Sequence, residues 1–358
     1  MDHASYMERC LELATRGAGR VAPNPMVGAL LVYQGRIIGE GWHQEYGKAH
    51  AEVNCLASVK EEDRELISQS VMYVSLEPCT HYGKTPPCAD LIIRNGIPRV
   101  VIGSPDPNPR VKGGGMEVLA KAGIAVEKGV LEQECRELNK RFFTFHSLRR
   151  PYVILKWAQT SDGFIGHAYR NAPQPRMYIS NAYTNRLVHQ WRSEEASLLV
   201  GTNTAMADDP QLTNRLWPGP SPMRLVLDME LKLPATLKLF YDDGVPVVVF
   251  NALKHVEEGR IRYYQLTTDK SIVRQLLDAL YQWNIQSVMV EGGARMLQSF
   301  ISEGEWDEAR VICNTKMEAK SGVPAPVPGG EMRTGQMQFE NDKIEFFKNR
   351  ARGSDPYP

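Results

Sequence analysis

Apolar residues recur at helical spacing near the start of the chain. Tyr6, Met7, Cys10, Leu11 and Ala14 share a face, which predicts a helix over residues 4–17. Ala22-Pro23-Asn24-Pro25 ends it, because proline lacks a donor and drives its neighbour to an extended backbone. The period then shortens. Val27–Tyr33 and Arg36–Gly41 read as two strands of a hairpin around Gln34-Gly35. Helical character returns from Ala51 to Leu56 or beyond, and Val71–Leu76 is strand-like. Ala89–Asn95 reads as a helix, Arg99–Gly103 as a buried strand and Met116–Ala122 as a helix. Val126–Val130 closes the pattern and Glu132–Phe143 predicts one further helix. Helices and strands mixed in this order suit a three-layer α/β/α domain.

His146-Ser147-Leu148-Arg149-Arg150-Pro151 is a polar, basic run before a strong new strand, Tyr152–Gly163, and marks a boundary. The expected domains are 1–147 and 151–350. In the second, Trp191-Arg192-Ser193 ends a helix and Leu198–Thr204 is a strand running into a loop. Arg224–Asp228 and Val245–Phe250 are strand-like. Ser287–Val290 is a buried strand that ends in Glu291-Gly292-Gly293, where a helix begins and runs to about Ile301. Backbone N–H groups at such a turn bind phosphate, and glycine permits close approach. Glu-Gly-Gly alone says little, since many α/β turns need glycine for geometry, and the dinucleotide fingerprint G-x-G-x-x-G is absent. Gly113-Gly114-Gly115 lacks the spacing and the following Lys-Ser/Thr of a phosphate loop and reads as a flexible turn.

A length of 358 residues makes two domains the default. Forty-two basic and forty-two acidic residues cancel, and no Lys/Arg-rich run stands out, so no nucleic-acid footprint is expected. Cys10, Cys55, Cys79, Cys88, Cys135 and Cys313 form no disulfide framework. There is no signal peptide and no apolar run that would span a bilayer, so a cytoplasmic, membrane-free protein is expected. Gly353–Pro358 reads as a disordered end.

The chemistry concentrates at His50-Ala51-Glu52 and at Cys79 and Cys88. One imidazole and two thiolates suit Zn²⁺, and three protein ligands keep a fourth position for water, whose pKa the metal lowers toward neutrality. Glu52, at the expected helix start, is placed to carry protons between that water and a leaving amine. The partial positive charge of a helix N-terminus would help keep it ionised. Taken singly, His50 reads as a surface histidine and the cysteines as buried thiols. Together, His-x-Glu, a strand and then Glu77-Pro78-Cys79 match the signature of zinc nucleobase deaminases. The cysteine spacing departs from it, with eight residues between Cys79 and Cys88 instead of two.

Ser75-Leu76-Glu77-Pro78-Cys79-Thr80-His81-Tyr82-Gly83-Lys84-Thr85-Pro86-Pro87-Cys88 resembles the bifunctional deaminase/reductase family of riboflavin biosynthesis, which carries this longer loop. Pro23-Asn24-Pro25-Met26-Val27-Gly28, Asp106-Pro107-Asn108-Pro109 and the segments of the second domain fit the same family. The likeness runs from about residue 5 to about residue 300. It implies an α/β chain with an N-terminal cytidine-deaminase-like domain and a C-terminal dihydrofolate-reductase-like domain, using Zn²⁺ and NADPH. Its substrates would be small pyrimidine ribosylamino phosphates, and the chain would form a homo-oligomer.

Carried over by position, the resemblance places NADP contacts on Ala158, Tyr178, Thr204, Asp208 and the turn Gly293, Ala294, Arg295, Met296, Leu297, Gln298 and Ser299. Substrate contacts fall on Asn24, Arg176, Arg192, Leu212, Arg215 and Glu291. Lys156 and Asp208 are expected to handle protons in the reductase, and Arg192 and Arg215 offer planar forks suited to a phosphate. The plainer readings are a surface ion pair for Lys156, a loop cap for Asp208 and surface salt bridges for the two arginines. His81 and Lys84 are candidate phosphate contacts in the first domain. The alternative is a zinc deaminase acting on another nucleotide or a nucleic-acid base, with a non-catalytic second domain. Such enzymes need basic tracks or aromatic platforms, which the balanced charge does not supply.

Overall fold

Asp2 caps the first helix by accepting the Ser5 N–H at 2.9 Å. In the computed structural model, which describes residues 2–82, 86–109, 111–167 and 177–352, the chain divides into two units that part after Arg149. The first runs α1 (His3–Thr15), β1 (Gly28–Tyr33), β2 (Arg36–Trp42), α2 (Ala51–Ala57), β3 (Val71–Leu76), α3 (Cys88–Arg94), β4 (Arg99–Ser104), α4 (Gly114–Lys121), β5 (Ala125–Lys128), α5 (Glu132–Leu138) and α6 (Lys140–Leu148).

Its strands form one sheet in the order β2-β1-β3-β4-β5, antiparallel at β1 and parallel from β3 to β5. Side chains alternate across a strand. Leu30, Val32, Tyr73 and Val101 therefore meet Tyr6, Met7, Cys10 and Leu13 of α1 on one face. Ala29, Leu31, Met72, Val74, Val100 and Ile102 meet Ala51 and Cys55 of α2, Ile92 of α3 and Leu119 of α4 on the other. Both faces are covered, as the three-layer expectation required. Gly41 lets α2 lie directly on β2: a Cβ there would sit 2.2 Å from the Cys55 nitrogen.

The single helix expected over Glu132–Phe143 is two. At Asn139 the backbone leaves helical geometry, with φ −104° and ψ 25°. The side chain clasps Met26 instead, accepting its N–H and donating to its carbonyl, each at 2.8 Å. That contact ties the break to the Asn24–Val27 loop.

The second unit runs β6 (Tyr152–Thr160), β7 (Phe164–Gly166), α7 (Ala182–Glu194), β8 (Ser197–Gly201), α8 (Thr202–Asp208), β9 (Met223–Leu227), β10 (Val247–Asn251), β11 (Val256–Glu258), β12 (Ile261–Gln265), α9 (Ile272–Gln282), β13 (Ser287–Val290), α10 (Ala294–Ser302), β14 (Glu308–Asn314), β15 (Val323–Pro324), β16 (Glu331–Phe339) and β17 (Asp342–Asn349). A ten-stranded sheet has the order β11-β12-β10-β9-β8-β13-β6-β14-β17-β16, and its middle, from β12 to β14, is parallel. The central parallel strands are buried on both faces, with α9 and α10 on one side and α7 on the other.

One expectation changes here. The segment after Gly201 is a helix, so Thr204 and Asp208 are helical rather than in a loop. The chain from Glu308 onward supplies β14, which inserts parallel to β6, and the β16–β17 hairpin. Arg150, part of the polar boundary run, is buried, with both terminal nitrogens donating to Asp307 at 2.6 Å. Among the described residues, no helix is long and apolar enough to cross a membrane.

Candidate functional site

His50 is the residue before α2, Cys88 the first residue of α3, and Cys79 lies three residues past the end of β3. Packing α2 and α3 on one face of the sheet brings these three together. Their ligand atoms all lie within 4.8 Å of one another. His50 Nδ1 is 3.5 Å from Cys79 Sγ and 3.4 Å from Cys88 Sγ, so Nδ1 is the atom turned toward a shared centre. Hydrogen bonding with Cys88 holds the Cys79 thiol down at about 4, against the opposing pull of burial, with His50 assisting. Cys79 and burial push Cys88 upward. A half-buried thiol held low, a buried thiol pushed up beside it and an imidazole form a donor set completed by a cation, and the soft S₂N set fits zinc.

Glu52 is the second residue of α2 and 3% exposed. Burial, then the neighbouring Cys79, raise its carboxyl above the usual range. Desolvation thus works against the help that the helix start was expected to give. Glu52, His50 and Cys79 line a cavity of about 310 Å³ together with Asn24, His81, Asp106, Asn108 and Phe142. Lys84 lies outside the described residues.

The cavity wall contains groups that the sequence did not single out for a role. His43 is 2% exposed, with Nδ1 3.0 Å from the Ala49 carbonyl and Nε2 3.1 Å from Asn24 Nδ2. A carbonyl only accepts, so Nδ1 carries the proton and Nε2 accepts from the Asn24 amide. Burial lowers the pKa of His43, consistent with a neutral ring. Asp106 is buried and its carboxyl is pushed up to about 7 by desolvation, though its Oδ1 accepts the Asn108 N–H at 2.7 Å. The only sequence hint of His43 was its position seven residues before His50.

In the second unit, Lys156 on β6 and Glu291 at the end of β13 are neighbours because these strands pair in parallel. Lys156 Nζ is 3.6 Å from Glu291 Oε2. Arg192, from α7, donates to both Glu291 oxygens, from Nε at 2.9 Å and Nη2 at 2.8 Å, and from Nη1 to the Thr213 carbonyl. The fork expected to meet a phosphate is thus occupied by a carboxylate. Burial would raise the Glu291 carboxyl, but the charges of Arg192 and Lys156 prevail and hold it at about 2.

Arg215 is exposed and donates from Nη1 to Gln211 and Thr213, while its backbone N–H donates to His189 Nδ1 at 2.9 Å. His189, 1% exposed, was missed in sequence, although it stands one helical turn before Arg192 on α7. Desolvation, aided by Arg192 and Arg215, holds it at about 4.

Gly293 precedes α10, and the first intrahelical bond runs from Leu297 N to Gly293 O. The N–H groups of Gly293, Ala294, Arg295 and Met296 are therefore the ones a helix start offers to an anion. Leu297, also expected in the contact set, has its N–H bonded within the helix and its side chain wholly buried in the core. Leu212 is likewise core, at 2% exposure, so its side chain faces away from solvent. Ser299 Oγ donates to the Arg295 carbonyl, and Gln298 bonds Ser302 and Val327 N. Thr204 lies near the start of α8 and Asp208 ends it. A Cβ on Gly201 would lie 3.2 Å from Met296 Cε, which sets the starts of α8 and α10 side by side at the carboxyl edge of the sheet. Ala158 follows Lys156 on β6, Tyr178 is 77% exposed, and Arg176 lies outside the described residues.

Residues 1–104 match the family described as the cytidine and deoxycytidylate deaminase zinc-binding region, and residues 151–351 match the RibD C-terminal domain. The riboflavin biosynthesis protein RibD of Aquifex aeolicus is 40% identical over 317 residues, 87% of each chain. That of Escherichia coli is 36% identical over 96% of each chain. The crystal structure of a diaminohydroxyphosphoribosylaminopyrimidine deaminase/5-amino-6-(5-phosphoribosylamino)uracil reductase from Thermotoga maritima superposes with a TM-score of 0.86 at 35% identity, covering 97% of this chain and 98% of that one. The chain belongs to the RibD family of riboflavin-biosynthesis enzymes, which join a zinc deaminase and an NADPH-dependent reductase in one polypeptide.

Proposed function

We propose that residues 1–147 deaminate 2,5-diamino-6-ribosylamino-4(3H)-pyrimidinone 5′-phosphate. Residues 151–350 then reduce the product, 5-amino-6-(5-phosphoribosylamino)uracil, to its ribityl form. The observation that carries the first half is the convergence of His50, Cys79 and Cys88 beside a buried Glu52 in one cavity.

Zinc held by those three side chains would supply the Lewis acidity that activates a water at neutral pH. Glu52, its carboxyl raised by burial, takes a proton from the attacking water and delivers it to the departing nitrogen, so that water enters and ammonia leaves. His43 fixes the Asn24 amide by accepting from its nitrogen, which turns the amide oxygen into the acceptor for a substrate amine. Asp106 and Asn108 form the wall where the pyrimidine's remaining polar edge would lie. His81 and Lys84 are the proposed phosphate contacts.

In the second half, NADPH supplies the hydride. The bond from C1′ to the ring oxygen breaks, the oxygen takes a proton, and hydride adds at C1′. Lys156 and Asp208 handle that proton. The Gly293–Met296 N–H groups receive an anionic part of the cofactor, with Ala158, Tyr178, Thr204, Gln298 and Ser299 around it. Glu291 accepts from substrate hydroxyls, Arg192 holds Glu291 in place, and Arg215 and Arg176 are the proposed contacts for the substrate phosphate. Leu212 contributes through its backbone.

The enzyme acts on small molecules in the cytoplasm and not on nucleic acid, which the balanced charge supports. It forms a homo-oligomer, for which the edge strand β16, with Met332, Met337 and Phe339 exposed, offers a surface. Removing zinc with a chelator tests the division of labour. Ammonia release from the diaminopyrimidine stops, while NADPH oxidation with the deaminated substrate continues at its former rate. Loss of both, or of neither, would overturn the assignment.

A further inference from the structure

Neither reaction accounts for the three glycines at 113–115, nor for a second carboxylate buried beside the metal ligands. Glu77 is 4% exposed, stands two residues before Cys79 and lines the deaminase cavity. Its two oxygens accept four backbone N–H groups. Oε1 receives Gly115 at 2.9 Å and Met116 at 3.2 Å; Oε2 receives Gly113 at 3.1 Å and Asp106 at 3.2 Å. Three of these donors belong to the start of α4. The carboxylate therefore occupies the place that an external anion takes at a glycine-rich helix start.

Glycine is required there. Gly113 has φ +77°, and a Cβ on Gly115 would lie 2.1 Å from the Pro78 carbonyl. The turn read as flexible in the sequence is thus closed on Glu77 from three sides. The backbone of Glu77 is also fixed, its N–H donating to the Ser104 carbonyl at 3.0 Å. Only Pro78, a residue with its own locked φ, separates this anchor from Cys79.

We propose that Glu77 is a positioning residue. Through the Gly113–Gly115 receptor it sets the direction from which Cys79 meets the metal, and through Asp106 N it sets the cavity wall. This rests on reading His50, Cys79 and Cys88 as the zinc ligands. Glu77→Gln keeps the side chain's size but replaces one acceptor oxygen by a donor, so the N–H groups facing that atom lose their partner. The ligands remain present but are no longer held in place beforehand. Loss of such a supporting group weakens metal binding by roughly 10- to 100-fold.

The test uses the full, zinc-loaded chain as wild type, Glu77→Gln, Glu77→Asp and Cys88→Ser. Competition with a chromophoric chelator reads zinc affinity, the visible absorption of the cobalt-substituted protein reads thiolate geometry, and reductase turnover on deaminated substrate reads the integrity of the second unit. The expected result for Glu77→Gln is zinc affinity lowered about tenfold or more, a changed cobalt spectrum and a raised deaminase KM, with reductase turnover unchanged. Glu77→Asp, which keeps the charge on a shorter arm, falls between it and wild type. Wild-type affinity and an unaltered cobalt spectrum in Glu77→Gln would overturn the proposal. If Cys88→Ser binds zinc as tightly as wild type, the metal reading itself fails and the proposal with it, a failure visible without any Glu77 variant. Should Glu77→Gln leave the first unit unfolded, Glu77→Asp decides: unchanged zinc affinity and cobalt spectrum in that variant refute the proposal.

Discussion

Glu291→Gln removes the charge at the centre of the buried cluster in the reductase unit. The Glu291 side chain is 9% exposed and accepts from both Arg192 nitrogens, with Lys156 3.6 Å away. Its folded pKa of about 2, against an ordinary 4.5, is a difference of about 2.5. At about 1.4 kcal/mol for each tenfold step, that is about 3 kcal/mol of stability at neutral pH, as an order of magnitude. Removing one partner of a buried ion pair costs about 3–5 kcal/mol by an independent line of reasoning, because the remaining cations lose their countercharge.

The sign follows from proton uptake. The folded carboxylate binds protons less readily than the unfolded one, so its contribution is complete above about pH 4.5 and disappears as pH falls toward about 2. Urea unfolding followed by tryptophan fluorescence suits the measurement, since Trp157, Trp191, Trp217, Trp283 and Trp306 lie in the second unit and Trp42 alone lies in the first. At pH 7 the variant should be less stable by about 3 kcal/mol, and the gap from wild type should narrow as the pH is lowered from about 5 toward 3. A gap below about 1 kcal/mol at pH 7, or one that does not change with pH, would refute the reasoning.

Asp106→Asn should stabilise the first unit at pH 8. The folded carboxyl at about 7 lies above its ordinary 3.8, so the native state loses stability as pH rises between these values, by at most about 4 kcal/mol; urea unfolding of the two proteins at pH 5 and pH 8 checks this, with deaminase KM rising in the variant. His189→Ala leaves the half-buried Arg215 N–H without its acceptor and should raise the reductase KM about tenfold with a smaller loss in kcat, which steady-state kinetics on deaminated substrate reads. Zinc removal should abolish ammonia release and spare NADPH oxidation, the two being followed separately.

Much of the fold was written in the period of the chain. Alternation in β1, β3 and β4 sends side chains to two faces, and residues 28–33, 71–76 and 99–104 are strands where the pattern placed them. The metal set was legible because His50-x-Glu52, a strand and Glu77-Pro78-Cys79 follow one another in the chain. Tertiary demands overrode local pattern elsewhere. Asn139 continues a helical stretch in sequence, yet its amide is drawn to Met26, more than a hundred residues earlier. The glycines at 113–115 looked like freedom, whereas their conformation is fixed by a carboxylate just past the end of β3. Arg192 looked like a phosphate fork, and only the pairing of β13 with β6 and the packing of α7 reveal Glu291 in its grasp. His43 carries no motif of its own, and the run Asp106-Pro107-Asn108-Pro109 named no role for Asp106, since both roles come from the cavity that separate loops close around them.

The most direct test follows ammonia release and NADPH oxidation together, with purified zinc-loaded protein and the diaminopyrimidine ribosylamino phosphate as sole substrate. Wild type should release ammonia and then consume NADPH. Glu52→Gln should release none and leave NADPH untouched, yet oxidise NADPH normally when supplied with the deaminated substrate. Undiminished ammonia release in Glu52→Gln, or no NADPH oxidation by wild type even with the deaminated substrate, would contradict the account.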